Sequence, residues 1–273
     1  MTFWYLLFTK KEINMLEAHD ALILVARLIG LALIFQSLEF IKIKESISEN
    51  GIWRWSEIRT DYLFLPNRIQ KGLDWVMAPN HFMEMMTLRF YTSILAFLYP
   101  HFLLIFIFLF FTSFLITLRW RGSFNGGSDY MTLIILLCLC LGMIFPVLSK
   151  AVLWYMALQL ISSYFLAGFY KIRQAKWRNG TAVYGFVSSP SYKSQNFFID
   201  KSRDPIFAMV MAWGVMIFEL SFPLVLSHPY LTGLYLITGL LFHLANYAAF
   251  GLNRFFWVWS AGYPALWYCS KMI

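Results

Sequence analysis

Charge is scarce in this sequence. Only 13% of the 273 residues are Asp, Glu, Lys or Arg, about half the share usual in a soluble domain, which is roughly 25%. Such a chain cannot dress a large water-facing surface, and intrinsic disorder, which needs high charge and few aromatics, is excluded with it. Cysteine is nearly absent. Cys138, Cys140 and Cys269 are too few for a disulfide scaffold, and residues two apart on a helix point to different sides, so Cys138 and Cys140 cannot readily bridge. They read as packing residues. There is no metal-ligand spacing, no phosphate-binding glycine loop, no convincing Ser or Cys nucleophile and no internal repeat. Basic and aromatic residues nowhere alternate as a nucleic-acid groove requires, so no nucleic-acid partner is expected.

Apolar residues fill the space that charge leaves. They make up 60% of the chain, aromatics alone 20%, and Phe occurs 28 times. At roughly 20 residues per membrane-spanning helix, this composition predicts an all-α membrane protein: a polytopic bundle of about eight transmembrane helices forming one domain over residues 1–273. The spans expected are Ala21–Ile43, His81–Tyr99, His101–Leu118, Asp129–Leu148, Val152–Tyr170, Pro205–Leu226, Tyr230–Phe250 and a short Phe255–Tyr268. Met1–Asp20 reads as an interfacial lead-in, because the apolar run precedes its lysines and no small-residue cleavage site follows, unlike a secretory signal. Residues 44–79 and 171–204 read as extramembrane or interfacial loops. Trp53, Trp55 and Trp75 among Arg54, Arg59, Arg68 and Lys71 suit a segment lying on the headgroup layer. The net charge of +8 fits contact with anionic lipid, so the bilayer itself is the first expected partner.

Ionisable groups at membrane depth are costly and therefore point to function. Glu84 and Arg89 lie near a helix entrance and can snorkel to the interface. Glu219 sits mid-span and must meet a cation, bind a proton or face water; a structural bridge to Arg27 is the plain alternative. His243, Asn246 and Tyr247, at i, i+3 and i+4, share a helical face. Tyr164, Gly168 and Lys171 form another stripe, with Lys171 at a helix C-terminus where the dipole favours a cation. A desolvated lysine can also act as a base.

These residues resemble the HTTM (horizontally transferred transmembrane domain) family, which includes the membrane domain of vitamin K-dependent gamma-carboxylase. The likeness rests mainly on Tyr164-Phe165-Leu166-Ala167-Gly168-Phe169-Tyr170-Lys171 with Trp177 and Gly180, and on Phe242-His243-Leu244-Ala245-Asn246. Glu219-Leu220-Ser221-Phe222-Pro223 and the Gly/Asn-rich stretch from Arg121 to Asp129 add to it. The resemblance implies catalytic roles for Lys171 and His243, with Tyr164, Trp177, Glu219, Asn246 and Tyr247 contacting substrate. The pattern is not complete: Tyr170 replaces the first of a lysine pair, one extra residue separates Lys171 from Trp177, and Asn125–Asp129 lacks the enzyme's histidine. The sequence stops at Ile273 without the extramembrane region that binds the carboxylase's protein substrate, so gamma-carboxylation is not expected.

The compact form is more similar to the bacterial branch typified by sporulation-delaying protein B. That implies a bacterial plasma-membrane protein needed to mature a secreted antimicrobial peptide or toxin, with the peptide precursor and a small partner protein as partners. The alternative is an intramembrane enzyme acting on a quinone or other lipid-soluble ligand by carboxylase-like base chemistry. A structural or immunity-like membrane protein without catalysis is a third reading. The resemblance implies a cytoplasmic N-terminus, whereas the positive-inside rule applied to the basic loops points the other way.

Overall fold

A computed structural model describes residues 10–122, 126–190, 192 and 194–273, with side chains from residue 17 onward. The start of the lead-in and residues 123–125 of the Gly/Asn-rich stretch lie outside the described residues. The described elements are helices, with no strand among them. The long helices are α1 Lys10–Lys42, α2 Asn67–Met77, α3 Pro79–Leu98, α4 Leu103–Arg119, α5 Gly127–Ile144, α6 Ser149–Arg173, α7 Pro205–Ser221, α8 Pro229–Phe250 and α9 Asn253–Ser270. The protein is an all-α membrane helical bundle. Among the described residues, five stretches are long and apolar enough to cross a membrane: Glu17–Lys42, Gly127–Ile144, Pro146–Arg173, Pro205–Leu226 and Pro229–Phe250. Leu103–Arg119 is a shorter apolar helix.

Local chemistry sets the helix boundaries. Pro79, Pro205 and Pro229 each stand in the first turn of their helix, where a missing N–H costs nothing and a fixed φ favours the start. The Asp204 carboxylate accepts from Ile206 N at 2.9 Å and caps α7. Gly251, in the left-handed conformation at φ 72°, ends α8. Both loops are more structured than the sequence suggested. Residues 44–79 contain α2 and short turns at Lys44–Ile47, Trp55–Ile58 and Arg59–Tyr62, while 171–204 contains Ala175–Arg178, Thr181–Val187 and Asn196–Ser202. The lead-in also differs: its second half is the first part of α1.

The chain divides into two compact units, one of residues 22–149 and one of residues 1–21 with 150–273. Inside the first, Phe40, Ile47, Trp55, Ile58, Met77, Phe82, Met86 and Ile116 form a buried core. Removing a large apolar side chain from water is worth about 1.5–3 kcal/mol, so this cluster anchors the segment after α1. Arg119 is buried there. Its guanidinium donates to the carbonyls of Met77, Ile47 and Trp53 at 2.6, 3.0 and 3.0 Å and lies 4.5 Å from the Phe82 ring centroid.

Arg89 requires a correction, because it does not snorkel. It is fully buried, donating to Leu109 O at 2.9 Å, Gln36 Oε1 at 2.8 Å, Ser113 Oγ at 2.9 Å and Thr112 Oγ1. Gln36 Nε2 passes the contact on to Asp129 Oδ1 at 3.1 Å. A buried guanidinium costs several kcal/mol unless its donors are satisfied, and facing helices supply acceptors for both terminal nitrogens of this one. Cys138 and Cys140 are buried free thiols in the same unit.

The second unit holds α6–α9 and the helical turns between α6 and α7. Leu158, Ile217, Leu234 and Leu241 are exposed on these helices, as hydrocarbon-facing positions should be. Two glycines allow close backbone approach. At Gly180, φ is +81° and a Cβ would lie 2.5 Å from Met209 N; at Gly168, a Cβ would meet Glu219 Cβ and Leu220 N, both at 2.9 Å. Each glycine thus seats part of the α6–α7 region against α7 itself.

Candidate functional site

The site begins with that glycine contact. Gly168 brings α6 against α7 at Glu219 and Leu220. One helical turn later, Lys171 Nζ forms an ion pair with Glu219 Oε1. The pair is uneven in exposure: the lysine side chain keeps 22% of its surface and the glutamate 3%. The carboxylate is therefore inside the bundle and the ammonium at its edge. The second oxygen, Glu219 Oε2, is buried without a hydrogen-bond partner. Trp177, half-buried, places its ring centroid 5.2 Å from Lys171 Nζ, within the range of a cation–π attraction. Lys171 is thus held by charge on one side and an aromatic face on the other. The cation that Glu219 meets is this lysine.

A second cluster adjoins the first through Tyr164. Its hydroxyl lies 2.6 Å from His243 Nε2 and 2.8 Å from Tyr263 Oη. The Tyr164 ring stacks on Phe222, centroids 3.9 Å apart and planes inclined by 22°, and Phe222 follows Glu219 by three residues. Tyr164, His243 and Tyr263 are all buried. Phe242, Phe255 and Trp259 surround the imidazole, with ring centroids 5.1, 6.4 and 5.6 Å away. Its other nitrogen, Nδ1, is buried without a partner. Gly239, one turn before His243, gives room for the Tyr263 hydroxyl, since a Cβ there would collide with it.

The expected residues therefore separate. Lys171, Glu219 and Trp177 come together, and Tyr164 and His243 bond directly. Asn246 is half-buried and Tyr247 is 45% exposed, so the shared helical face does not carry them into the buried cluster. Tyr263 was missed as a site residue. A signal existed: Trp259 and Tyr263 are one turn apart on α9, and Gly239 and His243 one turn apart on α8, so a small residue beside a polar one marked room for a partner.

Three elements place these groups by ordinary means. Lys171 occupies the last turn of α6, where the helix dipole favours a cation. Glu219 is near the C-terminal end of α7, where the dipole disfavours an anion, so a cation partner is needed to hold it. His243 lies in the C-terminal half of α8, one helix along from α9 and Tyr263. Apolar rings line the remaining faces, and low polarity strengthens every charge interaction inside.

Comparison with known proteins now has something to explain. Residues 146–270 match the HTTM domain. The HTTM match covers a little under half of the chain and contains Tyr164, Lys171, Trp177, Glu219, His243 and Tyr263 together. It supports an HTTM-like membrane domain over those residues. No curated protein and no solved structure matches the chain.

Proposed function

We propose that the HTTM-matching unit is an intramembrane acid–base site acting on a quinone or another lipid-soluble ligand. The observation that carries this reading is the Lys171–Glu219 pair. Transfer of the ammonium proton from Nζ to Oε1 leaves the net charge of the pair unchanged and frees a neutral amine, whose lone pair can then take a proton from the ligand. Lys171, at the partly open end of the pair, is the base. Glu219 holds the ammonium and accepts its resident proton, which frees the amine to act. Trp177 forms the aromatic wall beside Nζ, suited to a flat ligand, and His243 contributes polar contact from the inner cluster. Asn246 and Tyr247 sit on the outer side of α8, where they contact the ligand's remainder or the lipid.

The test is ligand-based. Protein purified in mild detergent should carry a quinone into organic extract, and a short-chain quinone should change the tryptophan fluorescence. Lys171→Met should weaken that response at least tenfold. No extracted quinone together with no fluorescence response would overturn the reading.

A second reading is favoured by a different observation. The end of α6 and the segment after it expose Arg173, Lys176, Arg178, Lys201 and Arg203, and a groove of about 210 Å³ there is lined by Asn179, Thr181, Tyr184, Arg203, Pro205 and Ala208 among others. A mostly apolar groove, with Arg203 its one charged lining residue among those described and further basic side chains exposed on the same segment, suits an extended peptide. It fits a maturation factor of the sporulation-delaying protein B type in a bacterial plasma membrane, acting on a secreted antimicrobial peptide or toxin precursor with a small partner protein. Co-expression with a candidate precursor decides: unimpaired maturation by a Lys171→Ala, His243→Ala double variant would remove this site from that process.

A further inference from the structure

Tyr164 bonds two partners through one hydroxyl, and that hydroxyl has a single proton to give. Heavy-atom positions do not place hydrogens, but donor counting does. In one arrangement Tyr263 donates to Tyr164, Tyr164 donates to His243 Nε2, and the imidazole carries its proton on Nδ1. Both hydroxyl protons are then used, and one donor, Nδ1–H, is left unfilled. In the reverse arrangement Nε2–H donates to Tyr164 and Tyr164 donates to Tyr263. The Tyr263 proton then has no acceptor and Nδ1 is a bare, buried acceptor, so two groups are unsatisfied. Among the described residues, the Tyr263 hydroxyl has no second hydrogen-bond partner and Nδ1 has none. Each unmet buried group carries an uncompensated desolvation penalty, so the first arrangement wins by one such group.

We infer that Tyr164 is a positioning residue: its hydroxyl, backed by Tyr263, fixes His243 as the neutral imidazole protonated on Nδ1. The chain of two hydroxyls strengthens each bond in turn, because a hydroxyl that accepts becomes a better donor. Glycine at 239 is what lets Tyr263 reach the chain. The consequence is a division of labour between the two clusters. His243 offers a buried N–H donor, whereas Lys171 supplies the base. Only this last step rests on the acid–base reading above; the tautomer stands on the geometry alone.

Solid-state NMR of the full chain in lipid bilayers, with ¹⁵N-histidine labels and the His243→Asn spectrum subtracted for assignment, reads the tautomer directly. The wild-type protein should show a bare Nε2 and a protonated Nδ1. Tyr164→Phe should lose this single state and gain signal from protonated Nε2. Tyr263→Phe should keep protonation on Nδ1 but shift the Nε2 resonance, reporting a weaker donor. A wild-type spectrum with protonated Nε2, alone or together with protonated Nδ1, would overturn the inference before any variant is made. An unchanged His243 signal in Tyr164→Phe would overturn it equally. Neither result depends on quinone binding, so this inference and the proposed activity can fail separately.

Discussion

Gly168 has no side chain because Glu219 and Leu220 already occupy the position a Cβ would take, at 2.9 Å from both Glu219 Cβ and Leu220 N. One of these atoms is backbone and cannot step aside. Gly168→Ala must push α6 and α7 apart, at a cost of about 1–3 kcal/mol typical of overpacking. It should also separate Lys171 from Glu219. Thermal unfolding of the purified variant should show a lowered Tm, and an unchanged Tm would mean the helices have slack that the geometry denies. The sequence made part of this residue-level picture legible. Gly168 and Lys171 on one stripe, and a glutamate mid-span, announced a close approach and a needed cation. The identity of that cation was not legible, because Arg27 and Lys171 are both basic and only tertiary contacts choose between them. Arg89 shows the same limit: a position near a helix entrance reads as snorkelling until Gln36, Ser113 and Leu109 are seen to surround it.

At the scale of elements, the segment between α1 and α3 is fastened by two polar locks. In the first, Arg119 serves three carbonyls with one guanidinium. A lysine ammonium lacks the planar fork that reaches them together. Arg119→Lys should therefore leave α2 and the preceding turns with faster amide exchange, while amides of α6–α9 keep their protection; uniform protection across the chain would contradict this role. In the second lock, Asp74 on α2 accepts from Trp55 Nε1 at 2.9 Å and from Arg59 Nε at 2.7 Å. Burial pushes the Asp74 carboxyl upward, but the hydrogen bonds from Arg59 and Trp55 and the Arg59 charge together outweigh it and hold it below the ordinary carboxylate value.

A depressed folded value adds stability above the unfolded carboxyl pKa, about 3.9, and that stability is lost as pH falls through the folded value. Local protection of α2 should thus persist at neutral pH and decline below about pH 4. In Asp74→Asn the acid-dependent part of that decline should vanish. The elements themselves were largely legible, since apolar runs bounded by Pro79, Pro205 and Pro229 give helices starting at those residues. The short helices inside 44–79 and 171–204 were not, because tertiary locks such as Arg119 and Trp213 Nε1 to Arg178 O, at 3.1 Å, hold segments whose own periodicity is too brief to read.

For the whole molecule, a low charge content and abundant aromatics were enough to establish a helical membrane bundle, because no other fold class tolerates that composition. They could not show that the polar groups concentrate in two places of different kind. In residues 22–149 the terminal guanidinium nitrogens of Arg89 and Arg119 donate to protein carbonyls and side-chain oxygens, while Arg119 Nε is left unfilled. In the HTTM-matching unit, Glu219 and His243 each spend one polar atom on a side chain of another helix and keep the second buried and unfilled.

The central claim is that Lys171 and Glu219 act as one charge-paired unit inside that second region. A double-mutant cycle of Lys171→Met and Glu219→Leu, read by reversible unfolding in mixed micelles, tests it most directly. Breaking the pair from either side should destabilise the protein by on the order of 3 kcal/mol, since a buried charge is left alone. The double variant should recover much of that loss, giving a coupling energy of about 1–3 kcal/mol. Single effects that simply add, to within about 0.5 kcal/mol, would contradict the pairing and the site built upon it.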